Sequence, residues 1–277
     1  MEGRIEKSFT IALVADLHNA SPEQVLENLK QRSPNMIITA GDIVYGTQLD
    51  KQGYYYDASR SMLDLFPNAV SFIEQVNSIA PAFFSYGNHE WLLTKADVDR
   101  IKRAGITILD NTWLEYNGLF IGGLSSPDVS KYWRFQEKYR AEHPEDTRGN
   151  IKTEYHKSAS FEWRKTPEYE WLDEYETQKG YKILICHHPE HWALRESMLV
   201  NRNIDLVLSG HAHGGQIRIC GQGLYASDQG MLPKYTDGIH EGKYGKMVIS
   251  RGLSNPTIVP RLFNPPEIVY IDLHSER

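Results

Sequence analysis

The chain has 277 residues, 40% of them hydrophobic and six of them tryptophan, which is enough to bury one large core. Thirty Lys and Arg against 36 Asp and Glu give a net charge of -6, arguing against a general nucleic-acid binder or a protein held on anionic lipid. Cys186 and Cys220 are the two cysteines; they are too few for a disulfide framework, read as small core residues and suit a reducing compartment. Residues 1–7 lack the apolar stretch of a signal peptide, and no run approaches the roughly 20 apolar residues of a membrane span. A soluble cytoplasmic protein without a transmembrane segment is therefore expected, as one domain over residues 1–277.

In chain order, the strand-like run Phe9 to Ala15 is followed at once by Asp16-Leu17-His18. Ser21-Pro22 offers an N-cap and an N1 proline to a helix carrying Val25, Leu26 and Leu29 on one face and ending near Arg32. A second strand, Met36 to Ala40, leads into Gly41-Asp42, and helical spacing of Val70, Ile73 and Val76 marks a segment from about Asn68 to Ile79. The third strand, Ala82 to Tyr86, delivers Gly87-Asn88-His89-Glu90. Thr94 to Asp97 reads as a capping box for a helix closing at Gly105. Strand-like runs at Ile106–Leu109 and Trp113–Tyr116 follow, and Asn117-Gly118 is a hairpin turn into Leu119–Leu124.

From Ser125 to Thr166 the periodicity breaks. This segment holds nine basic and seven acidic residues with interleaved aromatic ones, and reads as an inserted loop or lid. Pro167 opens a helix bearing Trp171, Leu172 and Tyr175, and the strand Lys182–Cys186 stops at His187-His188-Pro189. A further β-branched run, Ile204 to Leu208, ends in Ser209-Gly210-His211-Ala212-His213-Gly214-Gly215-Gln216. The tail supplies strands at Gln216–Cys220, Lys246–Ser250 and Ile268–Leu273.

Five strands thus end in Asp16-x-His18, Asp42, Asn88-His89-Glu90, His187 and His211-x-His213. Each residue has an ordinary reading: Asp16 or Asp42 could cap a helix, Asn88 hold a turn, His187 be a core histidine. Recurrence at five strand ends is what those readings leave unexplained. In an open α/β sheet such ends share one crevice, and metal coordination would compensate buried charge at that density. Mixed nitrogen and oxygen ligands without thiolate suit Mn, Fe, Zn or Ni. Seven candidates exceed the needs of one ion and fit two that share a carboxylate.

The ordered series D-x-H, G-D, G-N-H-E, H and G-H-x-H resembles the calcineurin-like metallophosphoesterase superfamily. The form Gly-His-Ala-His-Gly-Gly-Gln, with Arg251-Gly-Leu-Ser and the segment Arg261 to Glu267, is similar to the bacterial branch containing the YkuE and YaeI phosphoesterases. The resemblance implies a four-layer α/β/β/α sandwich of two facing mixed sheets. It also implies two transition-metal ions, manganese foremost, with Asp16, His18 and His213 on one, Asn88, His187 and His211 on the other, and Asp42 bridging. A metal-bridging hydroxide would attack a phosphate mono- or diester, and His89 would stabilise phosphoryl charge or protonate the leaving oxygen.

Candidate substrates are small phosphorylated molecules, among them a nucleotide or a nucleotide-linked lipid precursor; a stable nucleic-acid partner is not expected. His188, Arg134 and Arg140 are candidate substrate contacts. The segment 125–166 reads as a lid over the metals, a surface excursion folded on itself, or a dimer contact. The alternatives to a phosphoesterase are a nuclease, disfavoured by the charge, and a non-catalytic metal-binding scaffold, disfavoured because every ligand position is filled.

Overall fold

A computed structural model describes residues 9–45, 61–127, 129, 138, 141–144, 169–195, 197–255 and 257–274. Most of the segment 125–166 lies outside them, including Arg134 and Arg140.

The first sheet is built from β1 (Phe9–Val14), β2 (Met36–Thr39), β3 (Ala82–Phe84) and β4 (Thr107–Ile108), joined in parallel in that order. The connections carry α1 (Glu23–Arg32), α2 (Pro67–Ile79) and α3 (Lys95–Arg103), the helical crossovers that parallel pairing requires. The second sheet begins with β5 (Thr112–Tyr116) and β6 (Leu119–Leu124), an antiparallel pair in which Tyr116 faces Leu119. Asn117 and Gly118 between them both have positive φ, 52° and 76°, the type I′ geometry that the Asn-Gly pair favours.

After α4 (Glu170–Tyr175) come β7 (Tyr181–Cys186) and β8 (Leu206–Ser209), parallel to β6 and to each other. The tail folds into two short ribbons, β9 (Arg218–Ile219) with β10 (Gln222–Gly223) and β11 (Tyr225–Ala226) with β12 (Gly230–Met231). It then forms β13 (Gly238–Glu241), β14 (Lys246–Ile249) and β15 (Val269–Leu273). β14 and β13 extend the second sheet to the order β13-β14-β8-β7-β6-β5. β15 returns to pair antiparallel with β1, giving β15-β1-β2-β3-β4.

Side-chain alternation explains why two sheets form. Along β1, Ile11 and Leu13 pack with Ile38, Ile183, Ile185 and Leu208 between the sheets, while Ala12 and Val14 turn outward to Leu29, Phe72 and Ile73 of α1 and α2. The outer face of the second sheet, through Leu184, Val207 and Met247, packs on Leu172 and Tyr175 of α4. The result is the α/β/β/α layering. Truncating Phe72, which is fully buried, to alanine would cost about 3–5 kcal/mol.

The expected elements form, with small changes at their ends; the expected opening of α4 at Pro167 lies outside the described residues. Thr94 accepts from the Asp97 amide while the Asp97 carboxylate accepts from Thr94, completing the capping box of α3. Pro22 occupies the N-cap of α1 rather than N1, and the Ser21 hydroxyl turns to the Glu23 carboxylate. The amides at the start of α2 donate to Asn19 Oδ1 at 3.0 and 3.1 Å, so the loop after β1 caps a helix distant in sequence. Cys186 is buried, but Cys220 is exposed, a correction to the core reading; it sits at φ 49° in the turn of a surface ribbon. β13 was not foreseen from the sequence because it is an edge strand with no buried face, Ile239 being 67% exposed. Among the described residues, no helix is long and apolar enough to cross a membrane.

Candidate metal centre

The strand ends of both sheets meet. Asp16 and His18 follow β1, Asp42 follows β2, Asn88 and His89 follow β3, His187 follows β7, and His211 and His213 follow β8. The first two loops run side by side, with the amides of Asp16, His18 and Asn19 donating to the carbonyls of Gly41, Asp42 and Ile43 at 3.1, 2.9 and 2.9 Å. Gly41 has φ 81°, and a Cβ there would lie 2.5 Å from the Gly87 nitrogen and 2.8 Å from His187 Nδ1. A Cβ on Gly210 would lie 2.6 Å from Asp16 Oδ2. These glycines let the ligand loops touch one another.

Asp16, His18, Asp42, His211 and His213 all have positive φ, between 46° and 67°. That conformation costs a non-glycine residue about 1–2 kcal/mol, and a row of such residues is the stored strain typical of functional loops. The tail offsets part of it. Leu253 and Ser254 donate their amides to the Ala15 and Asp16 carbonyls, and Asn264 Nδ2 donates to the carbonyls of His213 and Gln216.

Of the groups of donors that result among the described residues, two flank the centre. Asp16, His18 and His213 converge, with His18 Nε2 3.7 Å from Asp16 Oδ1 and 3.3 Å from His213 Nε2. Asp42, His187 and His211 form the second group, and His187 Nε2 stands 3.1 Å from Asp42 Oδ2 and 3.2 Å from Asn88 Oδ1. Asp42 Oδ2 is also 3.8 Å from His18 Nε2, so it faces both groups. His187 Nδ1 donates to the Ala40 carbonyl at 2.6 Å, which leaves Nε2 as the available lone pair, the arrangement usual for a metal-binding imidazole. Donors spaced in this way, most of them buried, fit two ions of the transition series.

His89 stands beside both groups and converges with His18 and Asp42 in a third. Its Nε2 is 3.9 Å from Asp42 Oδ2, its ring lies edge-on to His18 with centroids 4.8 Å apart, and its amide donates to Asp42 Oδ1 at 2.8 Å. His188 turns away from this centre towards Ser126, Glu190 and Asp228. His191 is held by Ser197 and Tyr169 in a buried network.

The electrostatics match the geometry. Burial would raise the Asp16 and Asp42 carboxyls, but the surrounding imidazoles outweigh it: His213 and His18 hold Asp16 at about 2, and His187 and His89 hold Asp42 well below the carboxylate range. Burial would likewise lower His187, yet Asp42 pushes it up to about 10. His89 lies at about 3 and His213 at about 4, both because burial disfavours the imidazolium.

The role of Glu90 was only half visible in the sequence. Its carboxylate accepts from the amides of Asp42 at 2.8 Å, Ile43 at 2.8 Å and Gly87 at 2.7 Å, locking the Asp42 loop to the Asn88 loop. Its place in Gly-Asn-His-Glu was the available signal. Asp228, 3.7 Å from His211 Nε2, had none.

The profile of the calcineurin-like phosphoesterases matches residues 9–215. The chain belongs to that family. An uncharacterized metallophosphoesterase of Aquifex aeolicus is 24% identical over 260 residues, covering 92% of this chain and 78% of its own. The metallophosphoesterase YkuE of Bacillus subtilis is 30% identical over 110 residues, 39% of this chain and 36% of that one. A dimetal phosphatase from Danio rerio aligns with a TM-score of 0.46 at 11% identity, over 88% of this calcineurin-like chain and 87% of the other.

Proposed function

We propose that this protein is a metal-dependent phosphoesterase that hydrolyses a phosphate mono- or diester at a two-ion centre. The observation that carries the reading is Asp42, whose carboxylate faces His18 of one donor group and His187 of the other. Asp16, His18 and His213 would hold one ion, and Asn88, His187 and His211 the other. Manganese is the first candidate, since carboxylate and amide oxygens beside imidazoles suit it, with Fe, Zn and Ni next. When bound, such ions supply Lewis-acid activation of water and of the phosphoryl oxygens.

The chain's own residues do the rest. His89 is partly buried, stands over Asp42 and would donate an N–H to a phosphoryl oxygen or the leaving group. Glu90 keeps the Asp42 and Asn88 loops in register, and the strained loops after β1 and β8 hold their donors before any ion arrives. Placement near the YkuE branch rests on Gly210 to Gln216 and on the tail residues that brace it. Two unpaired thiols suit a reducing compartment, and we read the protein as cytoplasmic.

The substrate class is a small phosphorylated molecule, with a nucleotide or nucleotide-linked lipid precursor as candidates. Arg134 and Arg140, outside the described residues, would meet it from the segment 125–166. Hydrolysis of a panel of phosphomonoesters, phosphodiesters and nucleotide pyrophosphates, each with Mn, Fe, Zn and Ni, tests the reading. Metal-dependent turnover of at least one class is expected; metal binding with no turnover across the panel would favour a scaffold. Replacing Ser130 to Lys157 by a short Gly/Ser loop should preserve turnover of a small chromogenic ester and flatten discrimination among larger substrates.

A further inference from the structure

Beyond the two-ion centre, on the far side of His211, lies another gathering of donors, of which the reaction as described uses only His211. His188, Glu190, His211 and Asp228 bring one donor atom each within 4.8 Å of one another. Two of these atoms have no partner among the described residues: His188 Nδ1 and Glu190 Oε2. Their residues are 7% and 1% exposed, and the atoms lie 3.9 Å apart, too far for a hydrogen bond. Leaving a buried polar atom unsatisfied is unfavourable, and here a nitrogen and an oxygen do so while facing the same point.

We propose that His188 Nδ1, Glu190 Oε2 and Asp228 Oδ2 form a third cation site, separate from the two-ion centre and selective for a divalent transition-metal ion. Asp228 Oδ2 is 3.6 Å from His188 Nδ1 and 3.7 Å from His211 Nε2. An ion bound at about 2.0–2.3 Å to such donors sets them roughly 3.3–3.7 Å apart in a tetrahedron, so the donors are already near bonding positions. The remaining side-chain atoms of His188 and Glu190 are committed elsewhere, as a built site requires. Ser126 Oγ lies 2.9 Å from His188 Nε2 and can accept its proton, leaving Nδ1 its lone pair. Gln229 Nε2 donates to Glu190 Oε1 at 2.7 Å, fixing Oε2 in place.

Arg195 also reaches Asp228 Oδ2, at 3.0 Å. A carboxylate has two oxygens and about four acceptor positions, so Asp228 can serve both, and the two acids still outweigh the one guanidinium. The Asp228 side chain is 30% exposed, which opens a path from solvent. An imidazole with two carboxylates excludes a thiolate-preferring ion and favours Mn, Zn or Ni over Ca or Mg. An ion there would tie the turn after β7, which carries His187 and His188, to the turn at Ser227-Asp228 that borders His211. The site therefore braces one wall of the catalytic centre.

The test is elemental analysis of full-length protein loaded with Mn(II) to saturation, together with titration of the last ion to bind. Wild type should hold three ions per chain. Glu190→Gln, which keeps the contact to Gln229, should hold two, or bind the third about 100-fold more weakly. The electron-spin signal of a coupled manganese pair should be unchanged in it. His188→Gln is the second variant, read if Glu190→Gln does not fold by circular dichroism. A wild-type stoichiometry of two at saturation overturns the proposal, as do three ions retained in both variants. This proposal fails independently of the phosphoesterase reading: loss of the third ion with the pair and turnover intact supports the site, whereas absent turnover bears on the reading alone.

Discussion

The loops leaving β1, β2 and β3 carry both carboxylates of the centre, Asp16 and Asp42, with the amide of Asn88 and the imidazoles of His18 and His89. Those leaving β7 and β8 bring three imidazoles to it, His187, His211 and His213, while their carboxylate, Glu190, belongs to the neighbouring group with His188 and Asp228. The pairs that cross between the sheets include two of acid to imidazole, Asp42 to His187 at 3.1 Å and Asp16 to His213 at 3.7 Å. One sheet brings both acids and the other three of the imidazoles, so the Asp16–His18–His213 and Asp42–His187–His211 groups each draw on both sheets. Without metal, the His187 imidazolium stands in for a cation beside Asp42, which is why it is pushed up so far.

The largest effect should come from removing the residue on which both groups converge. Asp42→Ala leaves His187 and His18 without their common acid, so metal content should fall by more than one ion per chain and hydrolysis by more than the about 10²–10⁴-fold typical of one lost acid–base group. Elemental analysis and initial rates check it; an unchanged metal content would mean that the groups are independent. His89→Asn should come next, keeping its metal and losing about 10²–10⁴-fold in kcat with little change in KM. Metal loss in that variant would make His89 a ligand.

Glu90→Gln sharpens the comparison within the first sheet. A neutral amide accepts from the three backbone donors less well than a carboxylate, and metal affinity should drop about 10–100-fold, measured by chelator competition. The smallest effect concerns pH. In metal-free protein His187 is raised from 6.5 to about 10, so its stabilisation is full below about 6.5 and is lost as pH rises through 10. Urea unfolding of the metal-free protein should show stability declining across that window, and His187→Asn should flatten the decline.

The ligand residues were legible because each stands directly after an apolar run that can only be a buried strand, and because parallel strands point their carboxyl ends the same way. Alternation of Ile11 and Leu13 against Ala12 and Val14 held the information for two sheets, but which face meets another sheet and which meets helices is decided by tertiary packing. β13 and the ribbons from Arg218 to Met231 were not legible, since they bury too little to need a periodic pattern. Asp228 was invisible for a related reason: it lies in a turn 17 residues beyond His211, and only the folded tail brings it there. Glu90 was within the motif, yet a carboxylate that serves backbone amides looks in sequence like one that begins a helix.

The central claim is that the two sheets meet in a pair of ions sharing Asp42. Low-temperature electron paramagnetic resonance of the Mn(II)-loaded protein tests it most directly, because two manganese ions bridged by one carboxylate couple their spins. We expect a coupled-pair spectrum at saturation that is lost in Asp42→Asn; a spectrum of isolated ions alone in the wild type, at two or more ions per chain, would contradict the account.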